Sequence, residues 1–343
     1  MIGRPLAELH VHLFGAIPQE VVRELARRHR VTLPAPLAEG VPAGFRYRDF
    51  GHFAELMVAQ RPLLASVDDL ELIAGGFCAA LAGQGVRYAE VMVTPQGLAA
   101  RGLAFPAWLE ALNRVRTRAR ADLGLELRWI LDINRAAPDA ERAYWADMTL
   151  EFAIAGRDAG VVALGLGGPE AGRPPEPFAP WFERARAAGL HSVPHAGEMA
   201  GPESIWGAVR ALHAERIAHG VRAVEDPALV AHLAERRIAL DLCPSSNVCL
   251  GVYPSLAQHP LRRLHESGVP VTVNSDDPTM FGTTLTDEVA ALAGPLGLDE
   301  AAISGVLDNG FAYAFDTSPS PPEGEGRGGW ERRQPYPATG SRT

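Results

Sequence analysis

Two adjacent aspartates, Asp276 and Asp277, end the apolar run Val269-Pro270-Val271-Thr272-Val273-Asn274-Ser275 and precede Pro278. A buried strand does not normally deliver two neighbouring carboxylates without positive charge to meet them. Candidate partners lie far away in the chain: His10-Val11-His12 on the first apolar strand, and His195-Ala196-Gly197-Glu198 on another. Three imidazoles and one carboxylate, each at a strand end, form a donor set for a divalent metal. Three nitrogens and one oxygen suit zinc with a water at an open position.

Each piece has a plainer reading. His10 and His12 are two apart on a strand, so their side chains share one face while Val11 and Leu13 turn to the other. With 11 histidines in the chain such a pair arises readily by chance, and two hydrogen-bonded core histidines would look the same. Gly197 permits a turn that brings Glu198 back over the metal, yet a carboxylate at a helix N-terminus is also favoured by the helix dipole. His219 ends the strand Arg216-Ile217-Ala218 and precedes Gly220; a lone strand-end histidine is often structural. A turn plus helix cap before Pro278 accounts for one aspartate well and for two poorly.

Short β-like runs recur at 7–13, 87–94, 127–133, 161–165, 190–195, 216–219, 238–242 and 270–275. Between them, helical spacing appears at 19–30, 106–123, 148–159, 181–188, 205–214 and 227–235. Eight strands alternating with helices imply a parallel sheet, and eight is the number that closes a (β/α)8 TIM barrel, an α/β fold. No Gly-x-Gly-x-x-Gly turn follows the first strand, which argues against an open dinucleotide-binding sheet. The connection from the first to the second strand is long. Its stretch at about 32–66 contains Phe45-Arg46-Tyr47-Arg48-Asp49-Phe50-Gly51-His52-Phe53 and an apolar helical pattern at 54–64. It is expected to form a helical lid over the barrel mouth. Residues 1–316 thus read as one barrel domain. The stretch 317–343, rich in Pro, Gly, Ser and charge, reads as a disordered tail.

Bulk composition narrows the chemistry. The chain is 47% hydrophobic and 21% charged, with net charge −9 and no basic block. That describes a soluble globular protein and argues against a nucleic-acid partner. Three cysteines without a Cys-x-x-Cys pair suit a reducing compartment. With no signal-peptide core and no apolar run long enough to span a membrane, a cytoplasmic location is expected. All 32 basic residues are arginine. Schiff-base chemistry, pyridoxal phosphate anchoring and a lysine carbamate bridging two metals are therefore closed to it.

Seven stretches together resemble the adenosine/adenine deaminase family of zinc-dependent barrel hydrolases. They are Ala7-Glu8-Leu9-His10-Val11-His12-Leu13, Tyr88-Ala89-Glu90, Gly168-Pro169-Glu170, His195-Ala196-Gly197-Glu198, Arg216-Ile217-Ala218-His219-Gly220, Cys243-Pro244-Ser245-Ser246-Asn247 and Ser275-Asp276-Asp277-Pro278. They span roughly residues 7 to 315 in the family's order. The resemblance implies His10, His12, His195 and Asp276 as ligands of one Zn2+. It implies a zinc-generated hydroxide that attacks the amino-bearing carbon of a purine. His219 would orient the water, Glu198 would act as a protonated acid toward the neighbouring ring nitrogen, and Asp277 and the Gly168 N–H would bind the purine.

Two departures bear on the substrate. Where the family usually has an acidic residue shortly after the second histidine, this chain has Phe14. An aromatic ring cannot accept a sugar hydroxyl, and leaving that hydroxyl unpaired costs about 1–3 kcal/mol. Phe14 favours a purine with an apolar or aromatic group at the far end of its sugar. Aminodeoxyfutalosine, an adenosine-like menaquinone precursor, is one such substrate. The second departure is Gly165, where relatives usually carry Asp, and it is expected to loosen the floor beneath Gly168. Two other readings compete: a mononuclear-metal amidohydrolase acting on a cyclic amide, and a catalytically inert purine-binding barrel. The zinc enzymes that deaminate bases in RNA use Pro-Cys-x-x-Cys, which is absent here.

Overall fold

A strand buried on both faces reads as a near-continuous apolar run, and eight such runs become eight parallel strands in the computed structural model, which describes residues 4–315. They are β1 (Leu6–His12), β2 (Val86–Val93), β3 (Glu126–Asn134), β4 (Val161–Gly167), β5 (His191–Ala196), β6 (Arg216–His219), β7 (Ala239–Leu242) and β8 (Val271–Val273). Each pairs in parallel with the next in sequence order. The cylinder closes at the C-terminal end of β1. There the His12 N–H donates to Asp276 O at 2.8 Å and the Asp276 N–H to His10 O at 3.1 Å.

Below that point side chains complete the seam in place of a longer β8. Asn274 Oδ1 accepts the Leu9 N–H at 2.8 Å, and Glu8 Oε1 accepts the Ser275 N–H at 2.7 Å. This is why β8 is shorter than the apolar run at 270–275 predicts. The fold is the expected (β/α)8 barrel.

Helices cover the outside, with apolar faces carried by residues such as Trp108, Leu112, Phe182 and Leu229 against the strands. Helix Asp139–Ala155 begins nine residues before the predicted start at 148. Its first two turns are largely exposed and its buried stripe starts at Ala146, so the early part lacks an apolar period to detect. In the predicted insertion, helix Phe50–Ala59 is capped by Asp49, whose side chain accepts the His52 N–H. It gives way to a 3-10 turn at Pro62 rather than running from 54 to 64, because proline cannot donate to the preceding turn.

The insertion forms a second apolar cluster with the segment that follows Asp277. Leu37, Tyr47, Phe53 and Leu56 pack on Leu250, Met280 and Phe281. The Tyr47 hydroxyl donates to Met280 O at 2.7 Å, and the Phe53 and Phe281 rings stack at 5.3 Å.

The opposite end of the barrel is filled by Arg216. It donates to Glu90 Oε2 at 2.6 Å and Asp241 Oδ2 at 2.9 Å, and its guanidinium lies 4.4 Å from the Phe315 ring centroid. Phe315 packs with Met92, Ile130 and Val193. The predicted tail at 317–343 lies outside the described residues. Among those described, the three cysteines are buried and free. No helix there is long and apolar enough to cross a membrane.

Candidate active site and metal centre

Strand alternation points His10 and His12 inward, and each of their partners also sits where its strand ends. His195 is the penultimate residue of β5, His219 closes β6, and Asp276 follows β8. Two of these positions are strained: His219 has φ +64° and Asp276 φ +62°, a left-handed backbone that non-glycine residues rarely adopt. Such strain persists only where the surrounding structure enforces it, and it clusters at functional sites.

The side chains converge. His12 Nε2 lies 3.1 Å from His195 Nε2. Asp276 Oδ1 is 3.3 Å from His10 Nε2 and 3.5 Å from His12 Nε2. Four donors bound tetrahedrally at zinc–ligand lengths of about 2.0–2.1 Å sit roughly 3.3 Å apart, so these spacings fit an ion of that size. His10, His195, His219 and Asp276 also offer ligand atoms all within 4.8 Å of one another. His219 is set differently, though. Its Nε2 lies 3.8 Å from the other Asp276 oxygen, Oδ2, and 3.6 Å from Glu198 Oε1. Asp276 thus turns Oδ1 to His10 and His12, and Oδ2 to His219 and to the Ser246 hydroxyl, which donates at 2.7 Å.

The electrostatics suit a cation. Burial alone would raise Asp276, but the His10 ring beside it outweighs this and holds the carboxyl well below its usual range. Burial lowers His195 well below its usual value, His12 to about 4 and His219 to about 3, leaving neutral rings with free lone pairs. His10 moves up instead. Burial opposes this, but Asp276 and Asp241 outweigh it. His10 Nδ1 faces Asp241 O at 3.3 Å, while Nε2 is buried without a hydrogen-bond partner among the described residues. That is the division expected of a metal ligand: one nitrogen tied to an acceptor and the other aimed at the ion.

Glu198 and Asp277 flank this cluster. Burial, then Asp276 and Glu170, pushes Glu198 well above the ordinary carboxyl range. Burial, then Asp276 beside it, does the same to Asp277, whose Oδ1 has no hydrogen-bond partner among the described residues. Gly15 makes room for that side chain: a Cβ there would fall 1.7 Å from Asp277 Oδ1. Gly168 follows β4 with φ +89°, and a Cβ on it would meet Asn134 Oδ1 at 2.5 Å. Phe14 is half-buried against the main core.

Several residues in the site have roles that only the fold reveals. Glu170 is 3% exposed and its carboxylate accepts four consecutive backbone N–H groups. Oε1 takes Gly197 at 2.5 Å, and Oε2 takes Glu198 at 3.0 Å, Met199 at 2.7 Å and Ala200 at 2.8 Å. It holds the turn that carries Glu198. Arg135, buried at the end of β3, donates to His195 O and to Arg173 O. Its signal in sequence is a charge directly after an apolar run. Asp132, inside that run, is raised to about 8 by burial, against the pull of His10 and Arg135. Gly165 does not leave the floor loose, because the Asp132 side chain fills the space beside it.

Comparison with known proteins gives the family and the fold. The family model described as adenosine deaminase matches residues 5–320. An aminodeoxyfutalosine deaminase of Streptomyces coelicolor is 42% identical over 317 residues, covering 92% of this chain and 81% of that protein. An adenine deaminase of Cupriavidus necator is 38% identical over 311 residues, 91% of this chain and 87% of the relative. Among solved structures, the adenine deaminase of Arthrobacter aurescens superposes with a TM-score of 0.84 at 31% identity, covering 91% and 94% of the two chains. An amidohydrolase of Burkholderia ambifaria crystallised with bound Zn gives 0.81 at 27% identity, covering 92% and 86%. The chain belongs to the adenosine deaminase family and is a hydrolytic deaminase with a His/Asp cluster able to hold a metal.

Proposed function

We propose that this chain is a zinc-dependent deaminase of a 6-aminopurine nucleoside extended at the far end of its sugar, with aminodeoxyfutalosine as the candidate substrate. The observation that carries the reading is the approach of Asp276 Oδ1 to His10 Nε2 and His12 Nε2, and of His12 Nε2 to His195 Nε2, at 3.1 to 3.5 Å. These four would hold the ion. Zinc, when bound, supplies a nucleophilic hydroxide near neutral pH and withdraws charge from the reacting centre.

The chain's own groups do the rest. His219 lies within 3.8 Å of Asp276, placed to hydrogen-bond the water and orient it. Glu198 keeps its proton because it is buried, and can give it to the ring nitrogen beside the amino-bearing carbon. Protonation there makes that carbon electrophilic. Asp277, also protonated, can donate to a lone-pair nitrogen of the purine's five-membered ring, which a carboxylate could not do. The Gly168 N–H is assigned to the opposite ring nitrogen. Water adds, ammonia leaves, and the product is a 6-oxopurine. The segment at 32–66 acts as a lid whose aromatic cluster seats on Met280 and Phe281, next to Asp277.

The substrate assignment rests on Phe14 and on the relatives named aminodeoxyfutalosine deaminase. Relatives named adenine deaminase make the free base the competing substrate. Ammonia release from adenine, adenosine, methylthioadenosine and aminodeoxyfutalosine, measured side by side, tests it. The expected order puts kcat/KM highest for aminodeoxyfutalosine; a preference for adenine or plain adenosine would overturn the assignment.

A further inference from the structure

Asp132 on β3 pairs in register with Gly165 on β4. A Cβ on Gly165 would fall 1.9 Å from Asp132 Oδ1, so the carboxylate from β3 takes the space that a β4 side chain would fill. Asp132 is 1% exposed and, among the described residues, neither of its oxygens has a hydrogen-bond partner. A buried carboxylate left unpaired is costly, so one kept at this place needs a donor that the site supplies.

The donor at hand is His12. Its Nδ1 lies 3.8 Å from Asp132 Oδ2, while its Nε2 faces His195 Nε2 and Asp276 Oδ1. His10 divides its nitrogens in the same way, Nδ1 on Asp241 O and Nε2 into the cluster. Ligand histidines are commonly oriented by an acceptor on the far nitrogen, which fixes the tautomer and raises the basicity of the ligating one.

We propose that Asp132 is a positioning residue of the metal centre: its carboxylate accepts the Nδ1–H of His12 and holds the ring so that the Nε2 lone pair faces the ion. The inference rests on the zinc-site reading above. The present separation exceeds a hydrogen bond of about 3 Å. A small rotation of ring or carboxylate closes it, and among the described residues no other hydrogen-bond partner holds the Asp132 oxygens back.

The test is zinc affinity, measured on metal-free protein by competition with a chromogenic chelator, alongside thermal unfolding without metal. Asp132→Ala and the isosteric Asp132→Asn are expected to weaken zinc binding about 10- to 100-fold. Their metal-free stability should not fall, since each removes a buried carboxyl whose oxygens have no hydrogen-bond partner among the described residues. The double variant Asp132→Ala/Gly165→Asp returns a carboxylate to the same space from β4 and should recover most of the affinity. Ile130 Cγ2, 3.1 Å from the new Cβ, must shift slightly to admit it. His10→Ala is the control and should abolish tight binding.

Wild-type affinity in both Asp132 variants, with binding lost in His10→Ala, overturns the inference and leaves the metal site standing. So does a loss of affinity matched by lost metal-free stability and not recovered in the double variant. If His10→Ala binds zinc like the wild type, the metal-site reading fails first and the inference falls with it.

Discussion

Replacing Glu170 by Gln exchanges one carboxylate oxygen for an NH2 group and removes the charge that gathers four backbone N–H groups of the turn at 197–200. The best orientation keeps the remaining oxygen on the three donors at 2.7–3.0 Å and sets the NH2 against the Gly197 N–H, donor to donor. Charge-assisted bonds are worth about 1.5–3 kcal/mol and neutral ones about 0.5–1.5, so each of three bonds loses roughly 1 kcal/mol. The fourth is unmade, and a buried orphan N–H costs about 1–3 kcal/mol more. The total is about 4–6 kcal/mol, enough to let the turn rearrange while the barrel stays folded. At about 1.4 kcal/mol per tenfold, the population with Glu198 in place drops by roughly 10³ to 10⁴.

The expected result is kcat reduced at least about 100-fold with zinc content unchanged, because His195 precedes the turn on β5. Steady-state ammonia release and metal analysis on the same sample check this. A folded Glu170→Gln protein with kcat within threefold of wild type would refute the claim that Glu170 positions Glu198.

Three further outcomes are expected. Glu198→Gln should keep its zinc while losing about 10²- to 10⁴-fold in kcat, the range for a general acid; unchanged turnover would remove Glu198 from that role. Phe14→Asp should raise kcat/KM on adenosine relative to aminodeoxyfutalosine, and an unaltered ratio in a substrate-competition assay would discard the specificity argument. Glu288 is buried and its carboxyl is raised from 4.5 to about 7 by that burial, against bonds from Ser245 and Thr283. Its contribution to stability is full below pH 4.5 and is lost as pH rises through 7. Glu288→Gln should therefore leave stability near pH 4.5 almost unchanged and add up to about 3 kcal/mol at pH 8, read from denaturant unfolding at the two pH values.

The barrel was legible because strands buried on both faces are written as continuous apolar runs, and His10, His12, His195, His219 and Asp276 stand out where those runs end. What stayed hidden depends on neighbours distant in the chain. Glu170 looks like any post-strand carboxylate until the turn of 197–200 folds over it. Asp132 lies within an apolar strand, and its meaning comes from a missing side chain on β4. β8 is short because Asn274 and Glu8 replace ladder bonds with side-chain bonds, which no period in one strand can announce. The early turns of helix Asp139–Ala155 were invisible for a simpler reason: they bury almost nothing.

The most direct test titrates zinc into chelator-stripped protein while following ammonia release from aminodeoxyfutalosine. No activity is expected without metal, then a linear rise on adding zinc and a break at one zinc per chain. Full turnover in the stripped protein, or no ammonia from any 6-aminopurine at saturating zinc, would contradict it.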